Sequence, residues 1–232
     1  MSKLNQDDNE RLFDSLAQDW WNKDGPMKTL HDLNPVRLEY LQKKVTLRDT
    51  LVADIGCGGG ILSESLARSG ASVVGVDKSV QLIRIAREHA ASEKLDIRYE
   101  EGSASCLARE KKGKFDVVSC MELVEHVDDI YDLLSNCSKL LKSDGLLFIS
   151  TLNRSVWSYL FGIVAAEDFL KIVPKGTHDY NKFIKPSELS ACCRSVGLRS
   201  VDIKGLNYNP FSRKARLSRF PVLNYICTFS AI

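Results

Sequence analysis

A chain of 232 residues, 44% hydrophobic and 27% charged, has enough apolar side chains for one full α/β core. A formal net charge of +2 with no basic stripe argues against nucleic acid as a partner, and the acidic N-terminus is neither a secretory signal nor an Arg-rich transit leader. No apolar run reaches bilayer-spanning length, and the 7 cysteines, without a C-x-x-C pair, read as reduced, intracellular thiols.

From about residue 7 to 45 the pattern is that of a helical cap, with Trp20-Trp21 inside it. Pro35 marks an expected break, after which a helix resumes at Val36. Strands and helices then alternate from Leu51 to about Ser150, which predicts a doubly wound, mostly parallel sheet with helices on both faces. The expected strands are Leu51–Ile55, Ser72–Val76, Ile97–Glu100, Phe115–Ser119 and Gly145–Ser150; the helices between them are Ile61–Ser69, Val80–Ser92 and Ile130–Leu141. Lys142-Ser143-Asp144-Gly145 reads as a turn into the fifth strand. Beyond Asn153 lie an apolar helical stretch, Ser155–Val173, a polar loop, Pro174–Tyr180, a helix, Pro186–Val196, and two last strands, Leu198–Gly205 and Leu223–Thr228, making a seven-stranded sheet in all. The whole chain, 1–232, reads as one domain carrying the cap and an apolar insertion, a lid or membrane-facing element, at about 155–185.

The segment after the first strand, Asp54-Ile55-Gly56-Cys57-Gly58-Gly59-Gly60, is a turn against which a nucleotide-like ligand can lie closely. An acid, Asp77, ends the second strand about 20 residues later and suits the hydroxyls of a ribose. The dinucleotide pattern fails, because its third Gly would fall on Ile61 or on Ser63. Asp54, two residues before Gly56, would repel a pyrophosphate and attract a cation, which favours S-adenosylmethionine, with its sulfonium and ammonium and no phosphate. Ser103, after the third strand, is placed either to reach an adenine edge or as an ordinary loop residue.

The fourth strand leads into Met121-Glu122-Leu123-Val124-Glu125-His126. On a helical turn Glu122, Glu125 and His126 share one face. Two carboxylates and one imidazole suit Mg²⁺ better than Zn²⁺; alternatively His126 packs or caps while the acids are solvated. His178, in the polar loop, is a second candidate base, although a loop histidine need only be solvated.

The glycine turn resembles motif I of class I S-adenosylmethionine-dependent methyltransferases, a Rossmann-like α/β fold. Trp20-Trp21, Leu30–Arg37, Met121–Val127, Ser150–Arg154 and Val173–Pro186 together resemble the ubiquinone biosynthesis O-methyltransferase family, from about residue 10 to 210. The resemblance implies methylation of a catechol-type hydroxyl on a polyprenylated catechol or quinol: 3,4-dihydroxy-5-polyprenylbenzoate, demethylubiquinol or a polyprenyl-6-hydroxyphenol. It implies donor contacts at Arg37, Gly56, Asp77 and Met121, and Mg²⁺ ligands at Glu122, Glu125 and His126, with one of these as base if no metal takes part. It also implies a peripheral membrane lipid and a coenzyme Q biosynthetic complex as partners. The expected place is the matrix face of the mitochondrial inner membrane in a eukaryote, or the cytoplasm or its membrane face in a bacterium. With a polyprenyl substrate, the stretch holding Trp157, Leu160, Phe161 and Val164 is either core or an interfacial lid. The basic run Arg213–Arg219 departs from the family and reads as a solvated face or a lipid headgroup contact. Competing readings are a methyltransferase for another small phenol and a non-catalytic donor-binding scaffold.

Overall fold

A computed structural model describes residues 14–155 and 180–232. The elements in chain order are α1 (Lys28–Gln42), β1 (Leu51–Ile55), α2 (Ile61–Arg68), β2 (Ser72–Asp77), α3 (Val80–Ser92), β3 (Arg98–Glu101), α4 (Ala104–Glu110), β4 (Phe115–Met121), α5 (Ile130–Leu140), β5 (Leu141–Leu152), α6 (Pro186–Ser195), β6 (Leu198–Asn209), β7 (Lys214–Ser218) and β8 (Asn224–Ala231). One sheet runs in the order β3-β2-β1-β4-β5-β8-β6-β7. Its first five strands are parallel, and β8 lies antiparallel between β5 and β6.

Alternating residues of the central strands feed two cores. Ala53, Ile55, Val118, Cys120, Leu147 and Ile149 pack with Leu107, Leu134 and Leu189 from α4, α5 and α6. Val52, Val117, Phe148 and Ile226 pack on the other side with Tyr40 and Leu41 of α1 and Leu62 and Leu66 of α2. Burial on both faces is why β1 and β4 are apolar runs rather than alternating ones. Strand order reverses between β1 and β4, so the loops leaving their carboxyl ends diverge and open a crevice.

Four expectations change. First, the sheet has eight strands, not seven, because the basic run supplies β7. A short edge strand of alternating Lys, Arg and apolar residues looks like a solvated run; only pairing with β6 and the packing of Leu217 on the core reveal it. Second, α1 passes through Pro35 without ending, since proline removes one amide while Leu33, Arg37 and Leu41 keep the buried face continuous. Third, the turn expected at Lys142–Gly145 is a bulge inside β5: pairing jumps from Phe115↔Leu141 to Val117↔Leu146, and Lys142 Nζ reaches Asp116 at 2.5 Å. Fourth, α4 has no counterpart in the expected pattern; it is short and starts where Ser103 Oγ accepts from the Cys106 amide.

The described part of the cap begins in helix at residues 14–16 and continues as a 3₁₀ turn, Ala17–Asp19, a loop and α1. The β6–β7 hairpin is tied to this cap, for Asp32 accepts from Tyr208 Oη at 2.7 Å and from Arg213 Nε at 3.0 Å. Arg213 of the basic run also pairs with Asp24, so it serves an internal ion pair.

Candidate functional site

A cavity of about 380 Å³ lies at the β1/β4 divergence. It is lined by Arg37, Asp54, Gly56, Gly58, Asp77, Ser103, Met121, Glu122, Glu125 and His126, together with cap residues such as Trp20, Met27 and Leu33. All the expected site residues except His178 therefore meet around one space. His178 and residues 156–173 of the apolar stretch Ser155–Val173 lie outside the described residues.

The glycine turn is pinned to β2: the Gly56 and Cys57 amides donate to Val76 O at 2.8 and 3.1 Å. Gly58 has φ +54°, a region that L side chains rarely occupy. A Cβ there would stand 2.5 Å from the indole of Trp20, and one on Gly59 would stand 2.4 Å from it. Trp21 Nε1 donates to Gly59 O at 3.0 Å, and its ring stacks on His89 at 3.5 Å. The bare backbone of the turn thus admits the cap's tryptophans. The Trp20-Trp21 pair hints at this, but sequence alone does not say against what it packs.

Asp77 accepts from the Gly58 amide and from the Ser79 amide, both at 2.9 Å. Its carboxylate is fixed at the cavity edge, and carboxylate oxygens can each accept more than one donor. Asp54 is buried; Ser63 Oγ donates to it at 2.6 Å and Ser119 Oγ at 2.7 Å. Burial pushes its carboxyl up, and the two hydroxyls oppose that shift. Asp54 therefore joins α2 and β4 to β1, an anchoring role that its place in the motif does not reveal. Ser103 caps α4 at the cavity wall, and Met121 closes the end of β4.

Glu122, Glu125 and His126 do not lie on a helix. The chain turns after β4, with Glu122 at φ +51°, and the Glu122 amide donates to Ser150 O at 2.9 Å. Glu122 Oε1 lies 3.0 Å from Arg37 Nη2, accepts from Ser150 Oγ at 2.6 Å, and lies 3.5 Å from Asn224 Nδ2. Glu125 is 3% exposed; Thr151 Oγ1 donates to its Oε2 at 2.7 Å, and its Oε1 has no hydrogen-bond partner among the described residues. Burial, then the charge of Glu122, push the Glu125 carboxyl up to about 8. Asn224, at the start of β8, and Ser150 escape sequence reasoning, since they come from strand ends far along the chain and belong to no local motif.

These residues do not fit a three-ligand metal centre. Among the described residues no three His, Cys, Asp or Glu side chains gather closely enough to hold an ion, and Glu122 is engaged by a guanidinium. The shared face that the spacing promised needed a helical turn, and the positive φ at Glu122 removes it. The expected Mg²⁺ ligation at Glu122, Glu125 and His126 finds no support in this arrangement.

A parallel sheet reversed at β1/β4, a glycine turn there, and an acid at the end of β2 define a class I S-adenosylmethionine-dependent methyltransferase. A family model described as a methyltransferase domain matches residues 32–203. Magnesium protoporphyrin IX methyltransferase from Synechocystis, solved with bound S-adenosylhomocysteine, superposes with a TM-score of 0.72 at 18% identity, covering 96% of this chain and 98% of that one, a likeness of fold.

The ubiquinone biosynthesis O-methyltransferase of Coxiella burnetii is 47% identical over 99% of this chain and 98% of its own length. Those of Nitrosococcus oceani and Xanthomonas euvesicatoria are 43% and 46% identical, covering 97% and 92% of this chain and 96% and 90% of their own lengths. The chain belongs to the ubiquinone biosynthesis O-methyltransferase family.

Proposed function

We propose that this enzyme methylates a catechol-type hydroxyl of a polyprenylated intermediate, a dihydroxybenzoate or a demethylated quinol, on the route to ubiquinone. The observation behind this reading is Glu125: a buried carboxyl with one oxygen unpartnered among the described residues, in the wall of the cavity that holds the glycine turn. A phenol needs a proton acceptor to become a nucleophile, and an acceptor near pH 8 suits that task better than an ordinary carboxylate.

The donor, when bound, supplies a methyl group on a sulfonium that leaves as a neutral thioether. Asp77 holds the ribose hydroxyls and Arg37 the donor's carboxylate. Gly56 and Gly58 allow close backbone approach, and Ser103 and Met121 border the same space. Glu125 Oε1 takes the proton from the hydroxyl to be methylated. The cap, through Trp20, Met27 and Leu33, covers the site with apolar surface and excludes water. Orientation of the two reactants lowers the barrier further, by up to ~7–11 kcal/mol.

A polyprenyl tail would be stored in a bilayer. Peripheral attachment to lipid and association with other enzymes of the route therefore belong to this reading; the apolar run with Trp157 and Phe161 supports the former. Among the described residues, no helix is long and apolar enough to cross a membrane.

The test is turnover of a polyprenylated catechol, a prenyl-free catechol and a monophenol by the wild type and by Glu125→Gln. The expected result is preference for the prenylated catechol and a loss in kcat of ~100-fold or more in the variant. Equal turnover of the prenyl-free catechol would move the reading to another small phenol. Donor binding without transfer to any catechol would overturn it.

A further inference from the structure

Asn224 opens β8 in the cavity wall, opposite Leu152 in the pairing of β5 with β8. Its amide nitrogen lies 3.5 and 3.4 Å from the two carboxylate oxygens of Glu122, which also pairs with Arg37 at 3.0 Å. A carboxylate in an ion pair only accepts, so the planar amide must present Nδ2 to it and turn Oδ1 away. That Oδ1 is buried and has no hydrogen-bond partner among the described residues. A buried carbonyl left unpaired is costly, and a hydroxyl brought by a ligand would satisfy it. Position says which ligand. The glycine turn and Asp77 stand at the ends of β1 and β2, whereas β8 lies three strands from β1, beyond β4 and β5. At about 4.8 Å per strand, Asn224 is roughly 14 Å across the sheet from the donor's turn. Ser150 and Thr151 hold Glu122 and Glu125 and directly precede Leu152, so Glu125 and Asn224 are anchored at the same end of β5.

We propose that Asn224 selects an acceptor with a second hydroxyl beside the one methylated, its Oδ1 accepting a hydrogen bond from that neighbouring hydroxyl. Two acceptor atoms without partners among the described residues then meet the two donors of a vicinal diol. Glu125 Oε1 takes the hydroxyl that loses its proton, and Asn224 Oδ1 takes the one that keeps it. A monophenol, or a ring already methylated at the second oxygen, leaves Oδ1 unpaired. Sites built to bond a hydroxyl reject analogues that lack it for this reason. The inference rests on the catechol reading above and adds to it the residue that tells a catechol from a monophenol.

The experiment is calorimetric titration of the S-adenosylhomocysteine complex with a prenylated catechol and with its matched monophenol, in EDTA and again with Mg²⁺. The wild type should bind the catechol ~10- to 100-fold more tightly than the monophenol. Asn224→Ala should weaken the catechol by ~10-fold or more and leave the monophenol within about twofold, in both series. Ser150→Ala, which removes a donor from Glu122 and keeps Asn224 Oδ1, should retain the wild-type preference. Equal weakening of both phenols by Asn224→Ala would make Asn224 a mere support for Glu122 and would overturn the proposal. So would a preference that Asn224→Ala retains, including one present only with Mg²⁺, which would give the second hydroxyl to a metal. Failure of the wild type to bind either phenol would strike the catechol reading itself, and this proposal with it.

Discussion

The indole of Trp20 occupies the place a side chain on Gly59 would need: a Cβ built there stands 2.4 Å from Trp20 Cδ1. The cap and the glycine turn are therefore one packed unit. Gly59→Ala should displace Trp20, destabilise the protein by ~1–3 kcal/mol and weaken donor binding. Trp20→Ala should cost about 3–5 kcal/mol. The double variant should cost less than the sum of the two, because removing the indole relieves the clash. Denaturant titration and donor calorimetry on the three variants check this.

Asp77→Asn tests the ribose contact. The Asn amide nitrogen cannot accept, so one of the bonds from the Gly58 and Ser79 amides is lost together with an acceptor for the donor's hydroxyls. The expected effect is a rise of ~10-fold or more in KM for the donor, with a smaller change in kcat. A change confined to kcat would place Asp77 elsewhere in the reaction.

As the proposed base, Glu125 should make activity depend on pH. Its carboxyl lies at about 8 in the folded protein, and only the deprotonated form accepts a proton. The wild-type rate should climb as pH rises through that value, and Glu125→Gln should lose both rate and slope.

The same group makes a prediction for stability. Its folded value is above its ordinary one, so the folded state binds the extra proton. The resulting stability is fully present below the ordinary carboxyl range and is lost as pH rises toward about 8. Glu125→Gln, always neutral, should melt higher than the wild type at pH 9, with the difference shrinking toward pH 5. A difference independent of pH would show that the carboxyl titrates in its ordinary range.

Arg213→Ala should free the β6–β7 hairpin from the cap. The substitution removes the ion pairs with Asp24 and Asp32 at an exposed site, where screening keeps such pairs weak. Faster amide exchange across Asn209–Lys214, with little change in melting temperature, is the expected outcome.

Much of the fold is legible because it repeats a local pattern. Strands β1, β2 and β4 are mostly apolar runs buried on both faces, and alternate with helices at the expected spacing. Strand β7 is not legible, since Lys214–Ser218 has an edge strand's composition and acquires its identity from β6. The continuity of α1 through Pro35 is equally hidden, because it depends on what Leu33, Arg37 and Leu41 pack against.

The sequence by itself determined the order of the five parallel strands, the glycine turn, the acid at the end of β2 and, through its resemblance, the family. These depend on neighbours within a few residues, where spacing and backbone preference decide. Tertiary structure decided what the acids after β4 do. Glu122 meets Arg37 from α1, Ser150 from β5 and Asn224 from β8, and Glu125 meets Thr151 in a buried wall. Those partners are distant in the chain, and the left-handed turn at Glu122 breaks the helical face that spacing alone predicts. An acid's charge and partner are set by burial and by what faces it, and both come into being only when the sheet closes.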